Sequence, residues 1–351
     1  MLNKRHIKMG MNLLRNTRLN KAFVNYVYNH YKWLRLDKEK TLTIPYPTGL
    51  MLELGNRCNM HCIICPREYV YGKQMDQGFM PLDKAKKIVD EVYPYLDSIG
   101  LTGLGETFLY PYLEEIVKYI KQKRPSIQIT VSTNANFVGF TEKIIPLLPY
   151  LDSVQFSVDG IGEVYEAIRP KADFGMISDN IKKVVAAAKH TEFMINTVIT
   201  KENFLNLKDV LEFANGIGIR YVNFNRINLA SIPEQRELYT DFFTSDAYNN
   251  VVNELNSLKK KYKGLTFSGY RTEGTPSFKE CTFPWKAHYI TWDGYLVPCC
   301  AKPFPKEMHF GNVFEQGVMN VLNGQPVQAF RRLWQQNTPP KFCQYCNTLH
   351  L

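Results

Sequence analysis

The chain has 351 residues, of which 45% are apolar and 22% charged, a globular composition that excludes a disordered or fibrous protein. At this length roughly three quarters of the unfolded surface can be buried without disulfide staples, in one or two domains. The net charge of +10 is lopsided, because residues 1–40 hold ten Lys or Arg against Asp37 and Glu39 while the rest is close to neutral, so a nucleic-acid-binding face over the whole body is not supported.

No run reaches about 18 consecutive apolar residues, so no membrane-spanning helix is expected. The basic N-terminus lacks the unbroken apolar segment of a secretory signal, and the expected location is the cytoplasm. Within the arm, Phe23, Val27, Tyr31 and Leu34 recur at three- and four-residue steps and predict an amphipathic helix from about Asn20 to Leu36. Its bases belong either to a solvated face of a packed helix or to a contact with an anionic partner: a membrane surface, a lipid-linked substrate or RNA.

Gly49-Leu-Met-Leu-Glu-Leu54 reads as a buried strand, and Cys58-Asn-Met-His-Cys62-Ile-Ile-Cys65 follows it. In a cytosolic chain grouped cysteines point to metal or catalysis rather than disulfides. A structural zinc site wants four ligands, and His61, the nearest candidate, sits awkwardly beside Cys62. Three thiolates on a [4Fe–4S] cluster would instead leave one iron open for chemistry.

Strand-like runs continue near residue 99 and at Gln128–Ser132, Ser153–Ser157, Phe193–Val198 and Tyr221–Phe224. Helical patterns such as Pro81–Tyr95 and Ile177–Ala188 lie between them, which predicts a parallel α/β architecture of six strands. Asn223 and Asn225 on the sixth run either face the sheet's mouth, as polar groups for a hydroxylated substrate, or alternate outward to solvent. Beyond a long gap come Cys281, Cys299, Cys343 and Cys346, separated by 17, 43 and 2 residues. An Asp293-Gly294 hairpin signal between the first two would bring their ends together. Zinc and an iron–sulfur cluster fit these four thiolates equally well.

With these residues in view, the chain resembles the radical S-adenosylmethionine (SAM) superfamily, whose hallmark is a Cys-x3-Cys-x2-Cys loop after the first barrel strand. Leu101-Thr-Gly-Leu-Gly105-Glu106-Thr107 is similar to the family's Gly-Gly-Glu-Pro segment, with Thr107 replacing the proline and Ile64 the frequent aromatic before the third cysteine. The resemblance implies an α/β fold, a partial (β/α)6 barrel open on one side, with Cys58, Cys62 and Cys65 holding a [4Fe–4S] cluster. It implies that Gly105 and Glu106 hold the SAM amino group, and that Ser132, Ser157 and Arg169 hold its carboxylate or ribose. Asn134 and Asp159, at the same strand ends, are either further SAM contacts or turn formers.

The C-terminal pattern resembles the SPASM/twitch extension, and its spacing is similar to that of the butirosin-pathway dehydrogenase group. This implies a second [4Fe–4S] cluster on Cys281, Cys299, Cys343 and Cys346. It also implies a division into an extension (1–48), a barrel (49–270) and a cluster domain (271–351). Such an enzyme cleaves SAM with an electron from an external donor such as flavodoxin or ferredoxin, and abstracts a hydrogen atom from a substrate C–H bond. The expectation is net oxidation (dehydrogenation) of a small molecule such as a sugar or aminocyclitol, the second cluster accepting the electron. Cys300 follows the auxiliary ligand at the position where sulfatase-maturating relatives carry a catalytic Asp. It is a buried small residue, an alternative to Cys299 as ligand, or a hydrogen-atom donor that would make the enzyme an epimerase. Peptide maturation and a non-catalytic metal module are the remaining readings.

Overall fold

Apolar residues three and four positions apart give each long helix one face to bury, and here those faces cover a parallel sheet. The computed structural model describes residues 21–39, 41–270, 281–338, 340–343 and 346. Helix α1 (Lys21–Glu39) and strand β1 (Gly49–Leu52) are followed by α2 (Leu82–Val92), β2 (Ser98–Leu101), α3 (Leu113–Lys123), β3 (Gln128–Thr133) and β4 (Ser153–Ser157). Next come α4 (Glu163–Ile168), α5 (Phe174–Ala187), β5 (Glu192–Ile199), α6 (Leu207–Gly216), β6 (Tyr221–Arg226), α7 (Asp246–Lys261) and β7 (Thr266–Ser268). A hairpin of β8 (Tyr289–Ile290) and β9 (Leu296–Val297) precedes helix α8 (Gln325–Gln335).

The strand order is β7-β6-β5-β4-β3-β2-β1-β8-β9, an open sheet in which only the terminal hairpin is antiparallel. All six expected strands are present. A seventh, β7, was hidden from the sequence by its three-residue length, too short for alternation to register. One sheet face is apolar (Leu52, Leu101, Val131, Phe156, Ile195 and Phe224 are fully buried) and shares its core with the stripe Leu113, Ile116, Val117 and Ile120 of α3. Each such side chain contributes roughly 1.5–3 kcal/mol of burial. The other face is polar, because alternate residues point the opposite way. Its register aligns Ser132 with Gln155, Ser157 with Asn196, and Asn196 with Asn223.

Helix α1 forms, but with a different face inward from the one expected. Tyr26, Asn29, Trp33 and Leu36 pack on the body, whereas Val27, Tyr31 and Leu34 are exposed. Polar bonds decide the orientation. Tyr26 and His30 both bond Asp97, the Asn29 side chain exchanges two bonds with the Tyr46 backbone, and Trp33 Nε1 donates to Tyr46 O at 2.8 Å. No described helix is long and apolar enough to cross a membrane.

The C-terminal region is fastened to the barrel at several points. β8 extends the sheet beside β1, with Glu53 N donating to Ile290 O at 2.9 Å. Asn323 exchanges two bonds with the Ile44 backbone, and the buried Arg331 donates to the carbonyls of Leu42, Leu322 and Pro284.

Candidate active site and auxiliary thiol cavity

Just beyond β1 the chain turns into the loop carrying Cys58, Cys62 and Cys65, and three neighbouring segments stitch it down. Glu106 N donates to Arg57 O at 2.9 Å, Asn59 Nδ2 to Asn136 O at 2.9 Å, and Ile63 N to Ile168 O at 3.0 Å. The ends of β2, β3 and α4 therefore meet at the thiols. Gly105 makes the closest approach: a Cβ there would lie 2.5 Å from Gly55 O and 2.6 Å from Arg57 O, so only glycine fits. Asn134 Nδ2 bonds Asn59 Oδ1 at 2.9 Å and reaches within 3.8 Å of Cys58 Sγ.

Burial pushes all three thiols up, Cys65 to about 12, against the opposing charges of Arg67 and Arg169. Ligation needs thiolates, so binding a cationic centre here releases protons. His61 points away to Glu68 at 3.2 Å and is exposed, which removes it as a fourth zinc ligand. Among the described residues no three Cys, His, Asp or Glu side chains converge on one ion. A [4Fe–4S] cluster offers each thiolate its own iron.

The two charged residues expected to meet SAM also have partners within the chain. Glu106, fully buried, accepts from Phe108 N at 3.1 Å, Thr133 Oγ1 at 2.8 Å and Asn134 N at 2.8 Å. Burial still raises its pKa above the ordinary carboxylate value. Arg169 contacts Asp159 Oδ2 through Nε at 2.8 Å and Nη2 at 2.6 Å. The other Asp159 oxygen accepts from Val198 N at 2.7 Å, so both its oxygens are engaged as a clamp between β4, β5 and Arg169. Ser132 Oγ bonds Gln155 Oε1 at 3.1 Å, and Ser157 shares that polar face.

Donors are nevertheless left over beside the loop. Tyr165 OH and the Nε and Nη1 atoms of Arg67 are buried without a partner. Tyr165 lies under Arg169, with 5.5 Å between guanidinium and ring centroid, and it feels the charges of Cys62 and Glu106. Orphaned donors, a glycine-made close approach and three thiols in one place fit a bound cluster with an anionic ligand.

The second thiol group forms a different kind of site. Cys281, Cys299, Cys343 and Cys346 line one small cavity of about 30 Å³, walled also by Phe283, Pro298, Phe330, Trp334 and Phe342. Burial raises Cys299 and Cys343, the latter to about 12. Cys300 is absent from this wall. Burial raises its thiol pKa, and the charge of Cys346 acts in the same direction. The following carbonyl, Ala301 O, is fixed by Asn228 Nδ2 at 2.6 Å and by Ser231 Oγ.

Glu53 escaped the sequence reading. It is fully buried one residue past β1 and accepts from Leu104 N at 2.9 Å, Tyr289 Oη at 2.9 Å and Trp292 N at 3.2 Å. It thereby ties the cysteine loop's strand to the β2 loop and the C-terminal hairpin. An acid interrupting an apolar strand was its only signal. Asn196 was also missed; it accepts from Asn223 at 3.0 Å and Asn225 at 2.7 Å, which places both of the latter on the polar face rather than in isolation.

Residues 52–214 match the Radical SAM superfamily, and residues 281–347 match SPASM, an iron–sulfur cluster-binding domain. The cofactor-modifying protein of tungsten-containing aldehyde ferredoxin oxidoreductase from Pyrococcus furiosus is 26% identical over 323 residues, covering 85% of this chain and 86% of that protein. The subtilosin biosynthesis protein AlbA of Bacillus subtilis is 23% identical over 308 residues, covering 86% of this chain and 64% of AlbA. Among solved structures, Streptococcus suis SuiB bound to its precursor peptide SuiA superposes with a TM-score of 0.68 at 15% identity, covering 99% of this chain and 82% of SuiB.

Proposed function

For this chain, a radical SAM enzyme with a C-terminal SPASM domain, we propose net two-electron oxidation of a polar substrate. The four-thiol cavity carries this reading, since a cluster ligated on all four sides by protein has no iron for substrate. When bound, the loop cluster and SAM supply a radical that takes a hydrogen atom from a substrate C–H bond, and the auxiliary cluster supplies an acceptor for the electron that leaves with the proton. Cys58, Cys62 and Cys65 would hold the first cluster, and Gly105, Glu106, Asn134 and Arg169 stand where SAM would lie. Ser132 and Ser157 would hold the SAM carboxylate or ribose. Asn196 and Asn223 offer amide groups along the same polar sheet face, suited to a sugar, an aminocyclitol or a similar hydroxylated molecule. Glu53 and Tyr289 hold the hairpin against the barrel.

Two other readings have specific support. Cys300, outside the cavity wall, suits a hydrogen donor, as an epimerase would need. The names of AlbA and of SuiB's bound peptide support a peptide substrate, whose backbone the same amide-rich face would suit. The test is an anaerobic assay on candidate polyols and peptides, with substrate deuterium followed into 5′-deoxyadenosine. A product lacking two hydrogens supports oxidation. A product isomeric with the substrate apart from solvent deuterium at the abstracted carbon supports epimerisation and overturns the proposal.

A further inference from the structure

Outward from its packed face, helix α1 presents Val24, Val27, Tyr28, Tyr31 and Leu34, each between 48% and 68% exposed. Lys32 and Arg35 are exposed beside them, and residues 1–40 together carry ten bases against two acids. The opposite face is pinned by Tyr26, Asn29, His30 and Trp33, so the stripe cannot roll inward. We propose that this stripe and the basic arm seat the enzyme on an anionic lipid surface, with the helix lying in the plane of the interface. Apolar side chains would enter the acyl boundary while the bases meet lipid phosphates. Three of the five stripe residues are aliphatic and offer nothing for stacking on nucleobases, which favours lipid over RNA.

Flotation of the full chain with vesicles of phosphatidylglycerol and phosphatidylcholine, against phosphatidylcholine alone, tests this. Binding is expected only to the anionic vesicles, to fall several-fold in high salt, and to fall at least tenfold in Val27→Asp/Leu34→Asp. Circular dichroism checks that the variant stays folded. Undiminished binding by that variant would overturn the role of the stripe. So would a dimer that dissociates on the same substitutions, since a second copy would then cover it, and so would RNA binding without vesicle binding.

An independent observation concerns Lys302, 5% exposed and lining the same cavity as the four thiols. Its ammonium pairs with Glu307, donates to Phe342 O at 3.0 Å and sits 4.3 Å from the centre of the Phe342 ring. We infer that Lys302 raises the reduction potential of the auxiliary cluster and that Glu307 moderates the effect. This rests on the four thiols holding that cluster. Reduction adds a negative charge, which a buried cation stabilises and a neighbouring carboxylate opposes.

Potentiometric titration of the full chain, followed by electron paramagnetic resonance, should move the auxiliary signal down in Lys302→Met and up in Glu307→Gln, with Lys302→Arg close to the parent. Shifts of the same sign in the first two, or none with iron content intact, would overturn the inference. An auxiliary signal missing from the unaltered enzyme would overturn the cluster assignment itself, which distinguishes the two failures.

Discussion

The Cys58–Cys65 loop and the cavity of Cys281, Cys299, Cys343 and Cys346 put the same side chain in opposite surroundings. Around the loop the neighbours are polar: the Asn134 amide near Cys58, Glu106 and Arg169 close by, and unpartnered donors on Tyr165 and Arg67. Around the cavity they are mostly aromatic rings, prolines and alanines, with Lys302 as the charged member of the wall. Three thiols with a polar rim leave room for an exchangeable ligand; four thiols with an apolar rim leave none. Donor count and second neighbours, rather than the thiol, thus separate a site for chemistry from a site for electrons.

The largest test of that contrast removes one side of it. Replacing Cys58, Cys62 and Cys65 together with alanine should halve the iron content from roughly eight per chain and abolish SAM cleavage, as read by iron–sulfide analysis and 5′-deoxyadenosine formation. Replacing Cys343 and Cys346 instead should also halve the iron but leave SAM cleavage measurable while oxidised product disappears. If both variants lost SAM cleavage equally, the division of labour would fail.

A middle-sized effect is expected at Glu106. Its carboxylate accepts three bonds from the β2 loop and β3, so Glu106→Gln should lower stability by about 1–2 kcal/mol. It should also weaken SAM binding by about tenfold if the buried negative charge meets the SAM amino group, since one charged hydrogen bond contributes about 1.5–3 kcal/mol. Calorimetric titration with SAM beside a thermal melt separates the two. A lower melting temperature at unchanged SAM affinity would leave Glu106 as a strand-end clamp alone.

Much of this contrast was legible in the sequence because cysteine spacing and apolar runs are local signals. The six strands, the Cys58–Cys65 loop, the Cys281–Cys299 hairpin and the Cys343–Cys346 pair are each read from residues close in sequence. The clamp at Glu53 does not, because its partners lie 51, 236 and 239 residues away. Helix α1 misled for a related reason. It carries apolar residues on two faces, and the choice between them is made by Asp97 and Tyr46, which periodicity within the helix cannot register. At Asp159 the contacts to Arg169 and to Val198 N are likewise made by residues 10 and 39 positions away.

The smallest expected effect belongs to Cys300, and it sharpens the boundary of the cavity. Strand β9 ends at Val297, and Cys299 lines the cavity while Cys300, in the turn that follows, does not. Cys300→Ala should therefore retain all the iron, since no ligand is lost. Under net oxidation it should also keep most of its turnover, with substrate deuterium still reaching 5′-deoxyadenosine and no solvent hydrogen entering the abstracted carbon. Burial holds the Cys300 thiol protonated, with its pKa raised, so a hydrogen atom is available there at neutral pH. If that atom is used, the alanine variant would still label 5′-deoxyadenosine but form no epimer, and the oxidation reading would give way. Loss of a whole cluster on the same substitution would place Cys300 among the ligands and move the cavity's boundary by one residue.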